Sequence, residues 1–201
     1  MYIRITEHNY VFIDRPDWIG DDNKPMTDEA LAEQGIYKVI DIKPEYDERT
    51  HTIELSNART WKQEGIQYIA EYDLKPIDLN ILKNKIKNKI TEKRWEVMTG
   101  GLTLPNGTRI ATTVEDQNRI STVVSNSHLA GLTKESKVDF KAKSGWVTLT
   151  IGELETLTGL IGKFLQRCYT AERQHHEAVD ALSDGLAIVD YDFNKGWNDN
   201  E

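Results

Sequence analysis
This chain is poor in the residues that announce chemistry. It holds one cysteine, Cys168, so no internal disulfide can form, and a lone thiol fits a reducing compartment. No apolar run approaches the roughly 18 residues of a membrane span. The alternating, charged start "MYIRITEHNYVFID" reads as a strand pair and not as a signal peptide. There is no Gly-rich phosphate loop, no serine nucleophile elbow and no Cys or His cluster at zinc spacing. A basic excess is missing too. The formal net charge is -8, and phosphate binding needs a basic footprint, so nucleic acid is not expected as the main partner.

What is present describes an acidic globular protein of 201 residues, 38% hydrophobic and 29% charged. Charge divides it. Residues 1–76 carry nine Lys and Arg against sixteen Asp and Glu, residues 77–98 carry six against three, and residues 99–201 carry ten against fourteen. A basic island therefore sits inside an acidic chain. We expect an α+β fold: a β-rich N-terminal domain (1–76), a linking basic helix (77–98), a hairpin–helix–hairpin–long-helix region (99–189) and an acidic tail (190–201).

In the first region Tyr2–Thr6, Tyr10–Asp14, Ile36–Lys43, Thr50–Ser56 and Ile66–Tyr72 are strand candidates, rich in Ile, Val, Tyr and Thr. "MTDEALAEQG" is a short helix capped by Thr27 and stopped by Gly35, and "KPEYDERT" is a turn. Pro76 closes the region. The linking helix, Asp78 to Met98, sets Leu79, Leu82, Ile86, Ile90 and Val97 in an apolar stripe broken near Lys93. Its lysines read as a solvated face.

"TGGLTLPNGTRIATTVEDQ" is a tight hairpin running into a helix. Leu102 and Leu104 share one strand face with Thr103 on the other. Pro105, Asn106 and Gly107 suit a three-residue loop, with Gly107 in the left-handed position. Thr112 and Thr113 can each cap the helix Val114–Ala130, whose first turn holds Glu115 and Asp116. A second hairpin joins Val138–Ala142 to Trp146–Leu149 across Ser144 and Gly145.

The last helix starts at a capping box, Thr150 with Glu153, and runs to Leu182. Leu154, Ile161, Cys168, His175 and Leu182 fall seven apart, as do Ile151, Thr158, Leu165, Glu172 and Val179. The expected helix seam is Ile151, Leu154, Ile161, Leu165, Cys168 and Leu182. At about 50 Å this helix outruns a domain of its size, so its far end must overhang, pack on the 78–98 helix, or bind another chain. Self-association, with a trimer favoured, is one reading of the seam. Packing of Leu154, Ile161 and Leu165 against Leu82, Ile86 and Ile90 is the other. The tail beyond Asp190 is expected to be mobile, with Phe193 and Trp197 its only anchors.

Glu172-x-x-His175 with His176 looks like half of a metal-carboxylate helix pair, but such sites need a matching Glu and His from another helix; a polar helix end is the simpler reading. Cys168 sits on the apolar stripe and reads as a buried thiol. Trp18, Trp61, Trp95, Trp146 and Trp197 are scattered as core or interface anchors.

Three ordered blocks, "RWEVMTGGLTLPNGTRIATTVEDQNRIS", "VDFKAKSGWVTLT" and "FLQRCYTAERQHHEAVDAL", resemble a domain of unknown function met in bacteriophage tail modules, encoded beside tail-fibre and fibre-assembly genes. Val179 stands where that family leads us to expect isoleucine. "MTDEALAEQGIYKVIDIKPEYDERTHTI" is similar to a segment of phage tail accessory proteins, with Lys38 in place of a proline. The resemblance implies a virion tail, synthesis in the host cytoplasm and other phage tail proteins as partners. It brings no catalytic residue, cofactor, metal, nucleic-acid partner or membrane partner. In that setting we expect a non-enzymatic structural or connector subunit associated with the tail fibre. A fibre-assembly chaperone is the alternative; a nucleic-acid-binding module and a glycan-degrading tail enzyme rank lower.

Overall fold
A computed structural model of the chain describes residues 1–14, 19–20, 24–104, 109–142 and 145–197. The loop Pro105, Asn106 and Gly107, together with Trp18 and Ser144, lies outside the described residues. The fold is α+β, and the chain divides into two compact units, Met1–Asp78 and Leu79–Glu201.

In the first unit, β1 (Tyr2–Ile5), β2 (Tyr10–Ile13), β3 (Ile36–Ile40), β5 (Lys62–Glu64) and β6 (Gln67–Ile69) form a sheet in the order β2-β1-β3-β6-β5. Among the described residues only β3 and β6 run parallel, which requires a long crossover. That crossover holds β4 (His51–Leu55), which pairs with β7 (Tyr72–Pro76) as a separate two-stranded sheet. The expected strand Ile66–Tyr72 is thus two strands in different sheets, broken at Ala70 and Glu71. Pro76 closes the end of β7, where a missing N–H costs no internal ladder bond.

Alternation along β1 and β3 places Ile3 and Val39 on one face, where they bury with Ala58, Trp61 and Ala70. Trp61 satisfies its indole N–H by donating to Ser56 Oγ at 2.9 Å. The helix α1 (Asp28–Glu33) begins where the Thr27 hydroxyl accepts from Ala30 N, and ends before Gly35, whose φ of +73° suits glycine. Tyr2 donates to Asp28, which also pairs with Lys38 at 3.1 Å. These contacts hold the Asp28 carboxyl below its ordinary range, the tyrosine hydrogen bond contributing most.

In the second unit, α2 (Leu79–Thr99) packs along α4 (Ile151–Ala181) and against α5 (Gly185–Val189). Leu82, Ile86 and Ile90 are buried on the inner face of α2. The capping box forms as the sequence predicts: Thr150 Oγ1 accepts from Glu153 N at 3.2 Å, and Glu153 accepts from Thr150 N at 2.7 Å. Between these helices lie β8 (Leu102–Thr103) paired with β9 (Arg109–Ile110), α3 (Val114–Asn126), and the hairpin β10 (Lys137–Ala142) with β11 (Gly145–Thr150). The core gathers Ile120, Ile151, Leu154, Leu157 and Ile161, flanked by Val138, Phe140 and Leu149 of the hairpin.

Two expectations are corrected here. Thr113 alone caps α3, accepting from Asp116 N at 3.2 Å. Thr112 is fully buried and serves another purpose: its hydroxyl donates to Met98 O at 2.7 Å and accepts from Gly101 N at 2.9 Å. It therefore ties the end of α2 to the strand entering α3. The second correction is the tail. Up to Trp197 it is docked, because Trp197 is 3% exposed and its indole donates to Phe193 O at 2.7 Å.

Candidate functional site
Three features of the second unit carry polar side chains in organised surroundings. The first is the α2–α4 seam. The polar break in the α2 stripe falls at Arg94, whose Nε lies 2.8 Å from Glu172 Oε2, both side chains largely withdrawn from solvent. The guanidinium also lies over the Tyr169 ring at 4.7 Å and near the Trp95 ring at 5.5 Å. Beneath it Cys168 is fully buried with Met98 and Phe164. Burial pushes the Cys168 thiol up, so it is protonated and poorly nucleophilic at neutral pH.

Further along, Asp180 accepts from Lys87 Nζ at 2.6 Å, and its own carbonyl accepts from Lys83 Nζ at 2.8 Å. The Lys87 hydrogen bond holds the Asp180 carboxyl below its ordinary range. Part of the basic island is thus turned inward against α4.

The second feature is the C-terminal strap. His175 contacts the hydroxyl of Tyr191 through Nδ1 at 2.8 Å and the carbonyl of Lys195 through Nε2 at 2.9 Å. A carbonyl can only accept, so Nε2 donates to Lys195, and in a neutral ring Nδ1 then accepts from the Tyr191 hydroxyl. Trp197 covers the imidazole with ring centroids 5.2 Å apart. His176 reaches the carbonyl of Lys87 at 3.3 Å. The residues Glu172, His175 and His176 are therefore each engaged by different protein groups, and among the described residues no three His, Cys, Asp or Glu side chains are grouped to hold a metal.

The third feature is a groove of about 900 Å³ between α3 and β10, walled by Val114, Arg119, Val123, Asp139, Phe140 and Lys141. A smaller hollow of about 240 Å³ lies on the other side of Phe140, over Ile110, Val147 and Leu157. Trp146, paired across the hairpin with Lys141, is 74% exposed. The Lys141 ammonium lies 5.8 Å from its ring.

The expected seam residues take intramolecular places. Ile151, Leu154 and Ile161 are in the core with α3 and the hairpin, Cys168 is buried against Met98, and Leu165 packs partly against both clusters. Leu182 is the half-buried C-cap of α4. The seven-residue recurrence is real, and among the described residues its apolar members pack in turn on α3, the hairpin and α2. Sequence reasoning missed the groove and the strap, since neither has a periodic signature; the pairing of exposed Trp146 with Lys141 in "KAKSGW" was the available hint.

A family model described as "Domain of unknown function (DUF4376)" matches residues 81–194, more than half of the chain. The chain belongs to the DUF4376 family. The DUF4376 match begins within α2 and extends into the docked strap, so it takes in the seam, the groove and both hairpins. No curated protein and no solved structure matches the chain.

Proposed function
We propose that this DUF4376 protein is a structural or connector subunit of a bacteriophage tail, associated with the tail fibre and acting through protein–protein contacts. The observation that carries the reading is the groove between α3 and β10, with exposed Trp146 on the neighbouring strand β11, because exposed aromatic and apolar surface beside a strand edge that has no ladder partner among the described residues is what a protein partner covers. The tail setting rests on the three sequence blocks of residues 94–182, which fall inside the DUF4376 match. The inward use of Lys83 and Lys87 weakens a nucleic-acid reading of the basic island. Buried Cys168, with its thiol pushed up, weakens a thiol-enzyme reading.

Mass spectrometry of purified virions from the phage encoding the chain tests this. We expect the protein at a fixed ratio to the other tail proteins. Its absence from virions whose fibres still depend on its gene would replace the connector with a fibre-assembly chaperone.

A further inference from the structure
We propose that the open edge of β10 pairs with the same edge of a second copy of this chain, antiparallel, about a two-fold axis at Phe140. β10 and β11 form a two-stranded sheet, so among the described residues β10 has a ladder partner on one side only. Antiparallel pairing turns alternate N–H and C=O groups of a strand away from its neighbour, and these form a template for a further strand. The edge runs along the groove, where Asp139, Phe140 and Lys141 make one wall and α3 makes the other.

The charges of that groove select the occupant. Its lining is neutral as a whole, with Glu115 and Asp139 against Arg119 and Lys141. Arg119 answers Glu115 within α3, which leaves the two charges of β10. Asp139 accepts from the neutral Thr148 hydroxyl at 2.9 Å, and the Lys141 ammonium faces the Trp146 ring. Among the described residues neither has an ion-pair partner. A segment of one sign would satisfy one of them and oppose the other. A strand carrying both signs in reverse order satisfies both, and β10 run antiparallel to itself is such a strand.

Register then fixes the axis. Opposed residues of an antiparallel pair share a face, so the axis sits at a residue and not between two. With the axis at Asp139 or at Lys141, that residue meets its own like charge. An axis at Val138 matches Lys137 with Asp139, but it overlaps only residues 137–139 of each strand and leaves the groove. An axis at Phe140 overlaps residues 138–142 and sets Asp139 opposite Lys141 of the second copy, twice by symmetry. Within one copy Lys141 already stands opposite Trp146, and Asp139 opposite Thr148. The new pairing joins these into rows of Trp146, Lys141, Asp139 and Thr148 across a four-stranded sheet. On the other face Phe140, half-buried against the core, meets its counterpart and extends the apolar layer.

A single strand edge covers well under the roughly 1,200 Å² of a standard stable interface, so its dissociation constant should be about 1 mM. The chain is then monomeric at micromolar concentration and pairs where an assembly holds copies close together. This deepens the connector reading by naming the partner, and rests on it only for the setting that concentrates the copies. Cross-linking in solution and virion content are separate measurements, so either can fail alone.

The test is disulfide formation between full-length variants, with the circular dichroism spectrum of each as the check on folding. An equimolar mixture of Asp139→Cys and Lys141→Cys sets the two new thiols opposite each other and keeps one Asp139–Lys141 pair. We expect the mixture to cross-link about tenfold faster than either variant alone, because only opposed positions bring the Cβ atoms within disulfide reach. Equal rates in the mixture and in either variant alone would overturn the proposal. Charge exchange supplies a reading without new thiols. Wild-type amide resonances of residues 137–141 should shift between about 0.05 and about 1 mM protein. Asp139→Lys alone should lose those shifts, and mixing it with Lys141→Asp should restore them. Absence of the wild-type shifts, their persistence in Asp139→Lys, or loss without restoration in the mixture would each overturn the pairing.

Discussion

Arg94 on α2 and Glu172 on α4 make their ion pair at 2.8 Å, at the position where the apolar stripe of α2 is interrupted. A partly buried pair of this kind contributes little net stability but is costly to break from one side, because the surviving charge is stranded. Glu172→Ala should destabilise the second unit by about 3 kcal/mol, read as a fall in the urea midpoint. Replacing both residues by leucine should cost clearly less than the two single changes added together. Additive losses in the double-mutant cycle would show that the two side chains do not interact.

Thr112 gives a prediction of the opposite chemical kind. Its single hydroxyl serves both Met98 O and Gly101 N. Thr112→Val keeps the shape and strands both backbone groups, so a loss of about 2–4 kcal/mol is expected. Thr112→Ser keeps the hydroxyl and should lose about 1 kcal/mol, for the missing methyl. Equal losses in the two variants, measured by chemical denaturation, would mean the tie is not made.

Cys168 reports on opening of the core. Fully buried and held protonated, it should react with a disulfide reagent about a thousandfold more slowly in the native protein than in denaturant. The sign of the pH effect follows from the raised folded value. The contribution to stability is fully present below the ordinary thiol value of 9.0 and is lost as pH rises through the folded value. Cys168→Ala should therefore lose less stability than the wild type between pH 8 and pH 11, about the window that brackets the ordinary thiol range. Identical alkaline slopes would argue against a buried, protonated thiol.

Ile161 distinguishes a monomer core from a shared seam. It is buried with Ile120, Leu154 and Leu157, all within one chain. Ile161→Asp should unfold the second unit, seen as lost helical circular dichroism. The wild-type thermal midpoint should stay fixed from about 1 to about 100 micromolar, since only an associating protein gains stability by mass action. A midpoint that climbs with concentration would favour association through α4 instead.

Local signals were legible wherever one residue and its near neighbours decide the outcome. The Thr27 and Thr150 caps, the stop at Gly35, and the pairing of Val138–Ala142 with the Trp146 strand depend on contacts a few residues apart. What could not be read depends on distant partners. The choice between Thr112 and Thr113 as helix cap was undecidable locally, because both suit the position; the carbonyl of Met98, 14 residues back, draws Thr112 away. The strap reads as a mobile acidic tail until His175, 16 residues before Tyr191, is set against it. β5 carries only Lys62, Gln63 and Glu64, with no apolar member, and is a strand because the edge of β6 recruits it.

The partnership of α2 with the end of α4 also has a cost in time. Lys83 and Asp180, which close one end of that helix pair, are 97 residues apart in the chain. At roughly 5–20 residues per second of synthesis, α2 emerges about 5–20 s before the chain that covers it. Throughout that interval Leu82, Ile86 and Ile90 have no access to the far half of α4, and Trp197 arrives later still. A translation product halted inside α4 would keep this stripe uncovered, so premature termination there should yield an aggregating fragment and not a shortened but serviceable protein.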